Sequence, residues 1–165
     1  MRPGPKRHPR RRAAYYSVAG VDLRKEMRRL CALDALGGEN GPLVRRPPTL
    51  SIRRSSARPR SRLGVAWPDE HRISVTAYPG MRASAALETL CHELVHLYLG
   101  RGGGREGWHG ARFKATLHAA MAERFGLQVG PARNAYHGHY AAAIERELTD
   151  QARLFDVENL DGRAA

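Results

Sequence analysis

The feature that most constrains this chain is His92-Glu93-Leu94-Val95-His96, an H-E-x-x-H pattern inside an apolar stretch. Two histidines four positions apart on a helix leave the same face about one turn from each other, so both imidazoles can bind one metal ion. Glu93 is placed to take a proton from a water bound to that ion. We therefore predict a metal site here. The alternative is that both histidines are ordinary packed helix residues.

The surrounding residues predict the helix that carries this pattern. Ser84 is a candidate N-cap, Glu88 falls in the first turn, and Gly100 is a candidate C-terminal stop. We expect a helix over residues 84–99. The apolar residues that recur at helical spacing, as a helix packed on a core requires, are Leu87, Leu90, Cys91, Leu94, Val95 and Tyr98.

A third ligand is needed, because a catalytic zinc site uses three protein ligands and keeps one position open. Residues 100–107 are dominated by glycine and predict a turn. His109 follows at the start of a second helical pattern, where its side chain can be aimed back at the first helix. A metzincin would need a histidine at position 102, which is Gly102, and Glu123 lies far along the second helix. The predicted site is one zinc ion per chain on His92, His96 and His109, with Glu93 as the catalytic residue.

These residues resemble the SprT-like (Spartan-type) metalloprotease domain. The resemblance rests on the H-E-x-x-H helix, the glycine-rich connection, and the segment Arg105-Glu106-Gly107-Trp108-His109-Gly110 with Phe113-Lys114. The strand pair at residues 62–67 and 72–75 is similar to the one that precedes the metal helix in that family. Two features differ: Trp108 is an extra residue before His-Gly, and two cysteines are too few for a C-terminal zinc ribbon.

The resemblance implies both a fold and an activity. The fold would be α+β and zincin-like, with a short antiparallel sheet of about three strands packed on helices that include the H-E-x-x-H helix. The activity would be zinc-dependent peptide hydrolysis on proteins bound or crosslinked to DNA, and hence a part in DNA repair. Glu93 would accept a proton from the attacking water and deliver it to the leaving amine. Two alternatives stay open: a metallopeptidase unrelated to DNA, and a non-catalytic zinc-containing module that binds nucleic acid.

The charge of the chain favours a polyanionic partner. It carries 28 Lys and Arg against 16 Asp and Glu, a formal net charge of +12. Clustered arginines can neutralise phosphates, although such runs are often only a solvated face. We predict DNA as a partner. The candidate contacts are Arg10, Arg11, Arg12, Arg53, Arg54, Arg58, Arg60 and Arg62.

The predicted organisation is a single domain with short ends. Residues 1–20 are expected to be a disordered basic tail, residues 21–155 one SprT-like domain, and residues 156–165 a polar C-terminal end. No apolar run is long enough for a membrane span. Two cysteines give no disulfide framework, so we expect reduced thiols and a cytoplasmic protein, associated with the nucleoid or nucleus if it binds DNA, and not a secreted one.

The remaining segments give coarser predictions. Helices are expected at residues 21–36 and 141–154, a strand at 49–53, and a hairpin of strands at 63–67 and 72–77.

Other residues could also contribute to the site or to the core. Tyr136 and His137 are candidates for stabilising the oxyanion of peptide hydrolysis, with a plain polar loop as the alternative. His118 and His71 are predicted not to be ligands, and Cys31 is predicted to be a core residue.

Overall fold

A computed structural model describes residues 14–100, 107–131 and 138–161, with side chains described as far as residue 154. Two short 3-10 helices, Asp34–Leu36 and Pro68–Glu70, lie between longer elements. The longer elements are β1 Ser17–Val18, β2 Val21–Asp22, α1 Leu23–Cys31, α2 Pro42–Arg45, β3 Thr49–Arg54, β4 Gly64–Trp67, β5 Arg72–Ala77, α3 Ala83–Leu99, α4 Ala111–Phe125 and α5 Ala141–Asp161. The predicted α+β class is confirmed.

The main sheet has the strand order β3, β5, β4. Strands β4 and β5 form the predicted antiparallel hairpin around the turn at Pro68–Glu70. Strand β3, however, pairs with β5 in parallel, from Thr49 opposite Arg72 to Arg54 opposite Ala77. The prediction of an antiparallel sheet was therefore wrong for this pair.

The connection between β3 and β4 explains the mixed sheet. Residues 55–63 carry the chain past the end of β5, where Ser55 N donates to Ala77 O and Thr76 N donates to Leu63 O. Strand β4 therefore starts on the far side of β5 from β3. The alternation of apolar and polar residues along a strand determines which face of the strand is buried. It does not determine which strand pairs with it, or whether that strand runs parallel or antiparallel.

Helix α3 lies at the centre of the fold and packs against the sheet and against α1, α4 and α5. Its predicted bounds are confirmed within one residue. The predicted N-cap is not, because helix α3 has no side-chain cap and Ser84 Oγ donates instead to Glu145 Oε2 of α5, at 2.7 Å. Nearly the whole circumference of the helix is buried, including Glu88, which accepts from Gly138 N at 2.9 Å.

The folded part begins earlier than predicted. Ile52 N donates to the hydroxyl of Tyr15, and Arg54 donates to the carbonyls of Tyr15 and Ser17, so the N-terminal segment is tied along β3. Residues 14–20 thus belong to the domain, contrary to the expected tail of residues 1–20. Residues 1–13, with Arg10 to Arg12, lie outside the described part.

Local hydrogen bonds also correct the first helix. The side chain of Asp22 accepts from Arg24 N and Lys25 N, so α1 starts at Leu23 and is shorter than the predicted helix over 21–36. Its buried Cys31 confirms the prediction of a core residue. At the other end of the chain, α5 continues to Asp161, beyond the predicted end at residue 154.

The last turn of α4 is anchored to the first part of the chain. Buried Glu26 of α1 accepts from Arg124 at 2.8 Å. Glu123 accepts from Asp34 N at 2.8 Å and from Ala35 N at 3.0 Å, which caps the 3-10 helix there. These contacts fix the orientation of α4, whose opposite end lies beside the H-E-x-x-H helix.

Across the described residues, no helix combines the length and the hydrophobicity needed to cross a lipid bilayer.

Candidate metal centre and its cleft

Helix α3 presents His92 and His96 on one face, one turn apart, as the spacing predicts. Both are buried, with 5% and 7% of their surface exposed, and their Nε2 atoms lie 3.2 Å apart. The helix ends one turn later at Gly100, whose positive φ of 73° is a conformation that glycine adopts without strain. The backbone can then turn away and return to the same face.

The returning chain brings His109 to these two histidines. His109 stands just before Gly110, the N-cap residue of α4, and its Nε2 lies 3.1 Å from that of His92 and 3.0 Å from that of His96. Among the described residues, these three form a group of side chains close enough to share a metal ion.

The close approach of the three nitrogens is explained better by a shared cation than by hydrogen bonds between the imidazoles. Each Nε2 either carries one hydrogen or offers one lone pair, so hydrogen bonds alone cannot satisfy all three close approaches. A cation that accepts three lone pairs satisfies every one. In a tetrahedral site with Zn–N bonds of about 2.0–2.1 Å, the nitrogens would be about 3.3 Å apart, close to the observed separations. The group can therefore hold a metal ion.

Two aromatic residues pack against the imidazoles: Phe113 of α4 and Trp108, which lies just before that helix. The buried ring of Phe113 lies 4.8 Å from His92, 4.4 Å from His96 and 4.9 Å from His109, measured between ring centroids. Trp108 packs edge to face on His96 at 5.3 Å and remains 44% exposed. Because Phe113 contacts all three rings, their orientations are fixed by packing as well as by the backbone.

Glu93 lies next to His92 on α3 and is only 4% exposed. Loss of water around the carboxylate raises the pKa of Glu93 to about 8, while the positive charge of Arg62 opposes that rise. The pKa of His109 is lowered instead, by partial loss of water and then by the charge of Lys114. The carboxyl group therefore has a proton affinity suited to exchange near neutral pH.

The histidines and Glu93 open onto one cleft of about 1070 Å³. One side is formed by α3 and the segment with Trp108, and the other by the start of β4 and the connection that precedes it. Three of the arginines predicted to contact nucleic acid line this cleft: Arg58, Arg60 and Arg62. The crossing of residues 55–63 over the end of β5 thus places a basic wall beside the candidate metal centre.

The other predicted DNA contacts are placed differently. Arg54 donates to two backbone carbonyls of the N-terminal segment, at 3.0 and 3.1 Å, which gives it a structural role. Arg53 is exposed on β3 and does not line the cleft. Arg10, Arg11 and Arg12 lie outside the described residues, as do Tyr136 and His137.

His118 and His71, which were predicted not to be ligands, and Glu123 have other partners. His118 Nδ1 pairs with the hydroxyl of Tyr140 at 3.1 Å, and His71 contacts the carbonyl of Arg46. The carboxylate of Glu123 accepts hydrogen bonds from the backbone N–H groups of the 3-10 helix Asp34–Leu36. Sequence reasoning gave no role to Gly64, which contacts Glu93. Its signal in the sequence was a glycine inside a strand pattern, which often marks a close approach of the backbone to another group.

The raised pKa of Glu93 gives a testable pH dependence. Between the usual value of 4.5 and about 8, the folded state keeps a proton that the unfolded state has lost. The free energy of unfolding of the metal-free protein should therefore fall with rising pH, by up to about 1.4 kcal/mol per unit from this group. Glu93→Gln removes this fall, whereas the opposite contribution of His109 remains in both proteins and cancels in their difference.

Urea unfolding from pH 5 to 8, with a chelator present, measures that difference. The stability advantage of Glu93→Gln over wild type should grow with pH. Glu147→Gln on α5, outside the cleft, is the matched control and should follow the wild type. Parallel curves for wild type and Glu93→Gln would show that the carboxyl group titrates normally.

Comparison with known protein families agrees with this geometry. No curated protein and no solved structure matches the chain. The model of the SprT-like family matches residues 38–133, which include α3, the glycine-rich connection and α4. That match covers more than half of the 165 residues, and the chain belongs to the SprT-like family.

Proposed function

We propose that this protein is a zinc-dependent metalloendopeptidase that acts on proteins bound or crosslinked to DNA. The observation that carries the proposal is the convergence of three imidazole Nε2 atoms and the buried Glu93 on one cleft. Membership of the SprT-like family supports a metallopeptidase-type domain. The basic wall of the cleft supports the choice of a DNA-associated substrate.

Zinc is the metal that best fits the donor set. Three imidazole nitrogens suit zinc, and three protein ligands leave a coordination position open, as in catalytic sites. Within the described chain the cluster contains three side chains that could bind a metal, whereas a structural site would be closed by a fourth. A zinc ion held by His92, His96 and His109 would supply a Lewis acid for the scissile carbonyl and lower the pKa of water to about 7.

Glu93 moves the proton in this proposal. Its carboxylate takes a proton from the attacking water and passes it to the amine that leaves when the peptide bond breaks. Burial favours this role, because loss of water raises the proton affinity of the carboxylate. The positive charge of Arg62 opposes that rise and favours the ionised form, which accepts the proton.

The sheet offers a surface on which a polypeptide can lie. The outer edge of β3 is occupied in part by Tyr15, whose hydroxyl binds the backbone of Ile52. Strand β4 is at the opposite edge, and its first residues line the cleft. An extended segment of substrate can add to such an edge through backbone hydrogen bonds, which require no particular side chain. We therefore propose that cleavage is broad and acts on unfolded or extended segments.

The DNA partner is proposed from the three arginines of the cleft wall. Arg58, Arg60 and Arg62 are exposed, and phosphate neutralisation requires clustered cations of this kind. Because these arginines and the three histidines line one cleft, nucleic acid bound there would lie beside the candidate metal centre. A protein attached to that nucleic acid would then be held close to the reacting groups.

Glu93→Gln tests the peptidase proposal. Gln has the shape of Glu but cannot accept the proton, so cleavage should fall by at least about 100-fold while zinc stays near one per chain. The measurement combines metal analysis with cleavage of a protein bound to DNA. Glu147→Gln should keep both properties. Bound zinc without cleavage by wild type, with or without DNA, would contradict the enzyme and favour a binding module.

The DNA contact has a separate test in Arg58→Gln combined with Arg60→Gln and Arg62→Gln. Each lost phosphate contact should reduce the slope of log affinity against log salt by about 0.7 for a single strand and about 0.9 for a duplex. The matched control replaces Arg24, Arg28 and Arg45, which do not line the cleft, with Gln. Equal slopes for the two triple variants would contradict a contact at the cleft. Unchanged cleavage of DNA-bound protein by the cleft variant would support a peptidase unrelated to DNA.

A further inference from the structure

Gly64, the first residue of β4, contacts the side chain of Glu93 through its own backbone. An added Cβ at position 64 would lie 2.6 Å from Glu93 Oε1 and 2.7 Å from Glu93 Cγ. It would also lie 2.7 Å from Thr89 Cγ2, one turn earlier on α3. All three distances are shorter than any real methyl contact, so position 64 has no room for a side chain while Glu93 keeps its place.

Two of the three neighbouring atoms, Thr89 Cγ2 and Glu93 Cγ, are held in place, whereas Glu93 Oε1 is at the end of its side chain. The Oγ1 of Thr89 donates to Ala85 O at 2.8 Å, which fixes the rotamer that turns its methyl group toward Gly64. Glu93 Cγ is close to the helix backbone, and α3 is buried against several elements. On the sheet side, Gly64 pairs with Val75, and the neighbouring Leu63 O accepts from Thr76 N at 2.7 Å.

We infer that Gly64 is a positioning residue for the proposed reaction. Its missing side chain creates a slot between β4 and α3, and this slot holds the Glu93 carboxyl group at the cleft. The helix alone fixes where the Glu93 side chain starts, but several rotamers would still be open to it. Packing against Gly64 and Thr89 restricts that choice and keeps the carboxyl group on the cleft that the three imidazoles also line.

The same contact explains why β4 begins with glycine. Glycine in a strand is destabilising, because it has more conformational freedom to lose than other residues. The backbone of Gly64 has no positive φ that would require glycine. The requirement comes from the close approach of Glu93 and not from the turn into the strand.

The inference rests on the proposed peptidase activity and is tested with Gly64→Ala. The added methyl group should displace the carboxyl group by a fraction of an ångström to an ångström, so that kcat falls about 10- to 100-fold. KM should change less than kcat, and the zinc content should stay at the wild-type value, because the three atoms nearest to the added Cβ belong to Glu93 and Thr89 and not to an imidazole. Gly130→Ala is the matched control, since its Cβ would meet nothing within 4 Å.

Three outcomes of that experiment are distinct. Cleavage by wild type with equal kcat for Gly64→Ala overturns the inference and leaves the proposed function intact. Loss of zinc together with kcat also overturns it, since the residue would then support the whole centre. An inactive wild type contradicts the proposed function itself.

A stability measurement keeps the inference testable even if Gly64→Ala folds poorly. In a Thr89→Ser background the threonine methyl is gone while the hydroxyl remains, so Glu93 is left as the neighbour that meets the new Cβ. The melting temperature lost through Gly64→Ala should then be smaller when Glu93 is also replaced by Ala. An equal loss with and without the Glu93 side chain would show that the slot does not hold it.

Discussion

The structure depends on a helix that is buried almost all round and yet carries ionisable groups. Burying a polar or charged group is costly unless it finds a partner, so each such group on α3 must be met by another element. His92 and His96 converge with His109, where one shared cation would satisfy all three imidazoles, and Glu88 accepts a hydrogen bond from Gly138 N. The segments before α4 and α5 are thereby drawn to α3. The fold and the candidate centre are consequences of the same requirement.

The topology of the mixed sheet determines which residues line the cleft. Because β5 lies between β3 and β4, the connection of residues 55–63 must pass over the strand ends, where it borders the imidazoles. A simple three-stranded meander would have joined β3 to β4 by a short turn. The longer path puts Arg58, Arg60 and Arg62 on the cleft wall and places Gly64 against Glu93. One topological feature accounts for both the charge of the site and the packing of its carboxyl group.

Local patterns predicted the parts of this structure that local forces determine. The bounds of α3, the β4–β5 hairpin and the closeness of His92 to His96 follow from periodicity and spacing. The direction of β3, the engagement of Arg54 by the N-terminal segment and the slot at Gly64 depend on contacts between residues far apart in the chain. Such contacts leave little trace in one sequence. His109 was an intermediate case, because a glycine-rich turn and a following helix leave few positions that can return to the motif.

We propose that the three imidazoles hold one metal ion and leave a coordination position open. X-ray absorption at the zinc edge of the purified protein measures the ligands of that ion. We expect one zinc per chain, with three imidazole nitrogens at about 2.0–2.1 Å and one or two oxygen neighbours. Four protein ligands around the zinc would make the site structural and rule out an open position, and a protein that binds no metal would rule out the centre itself.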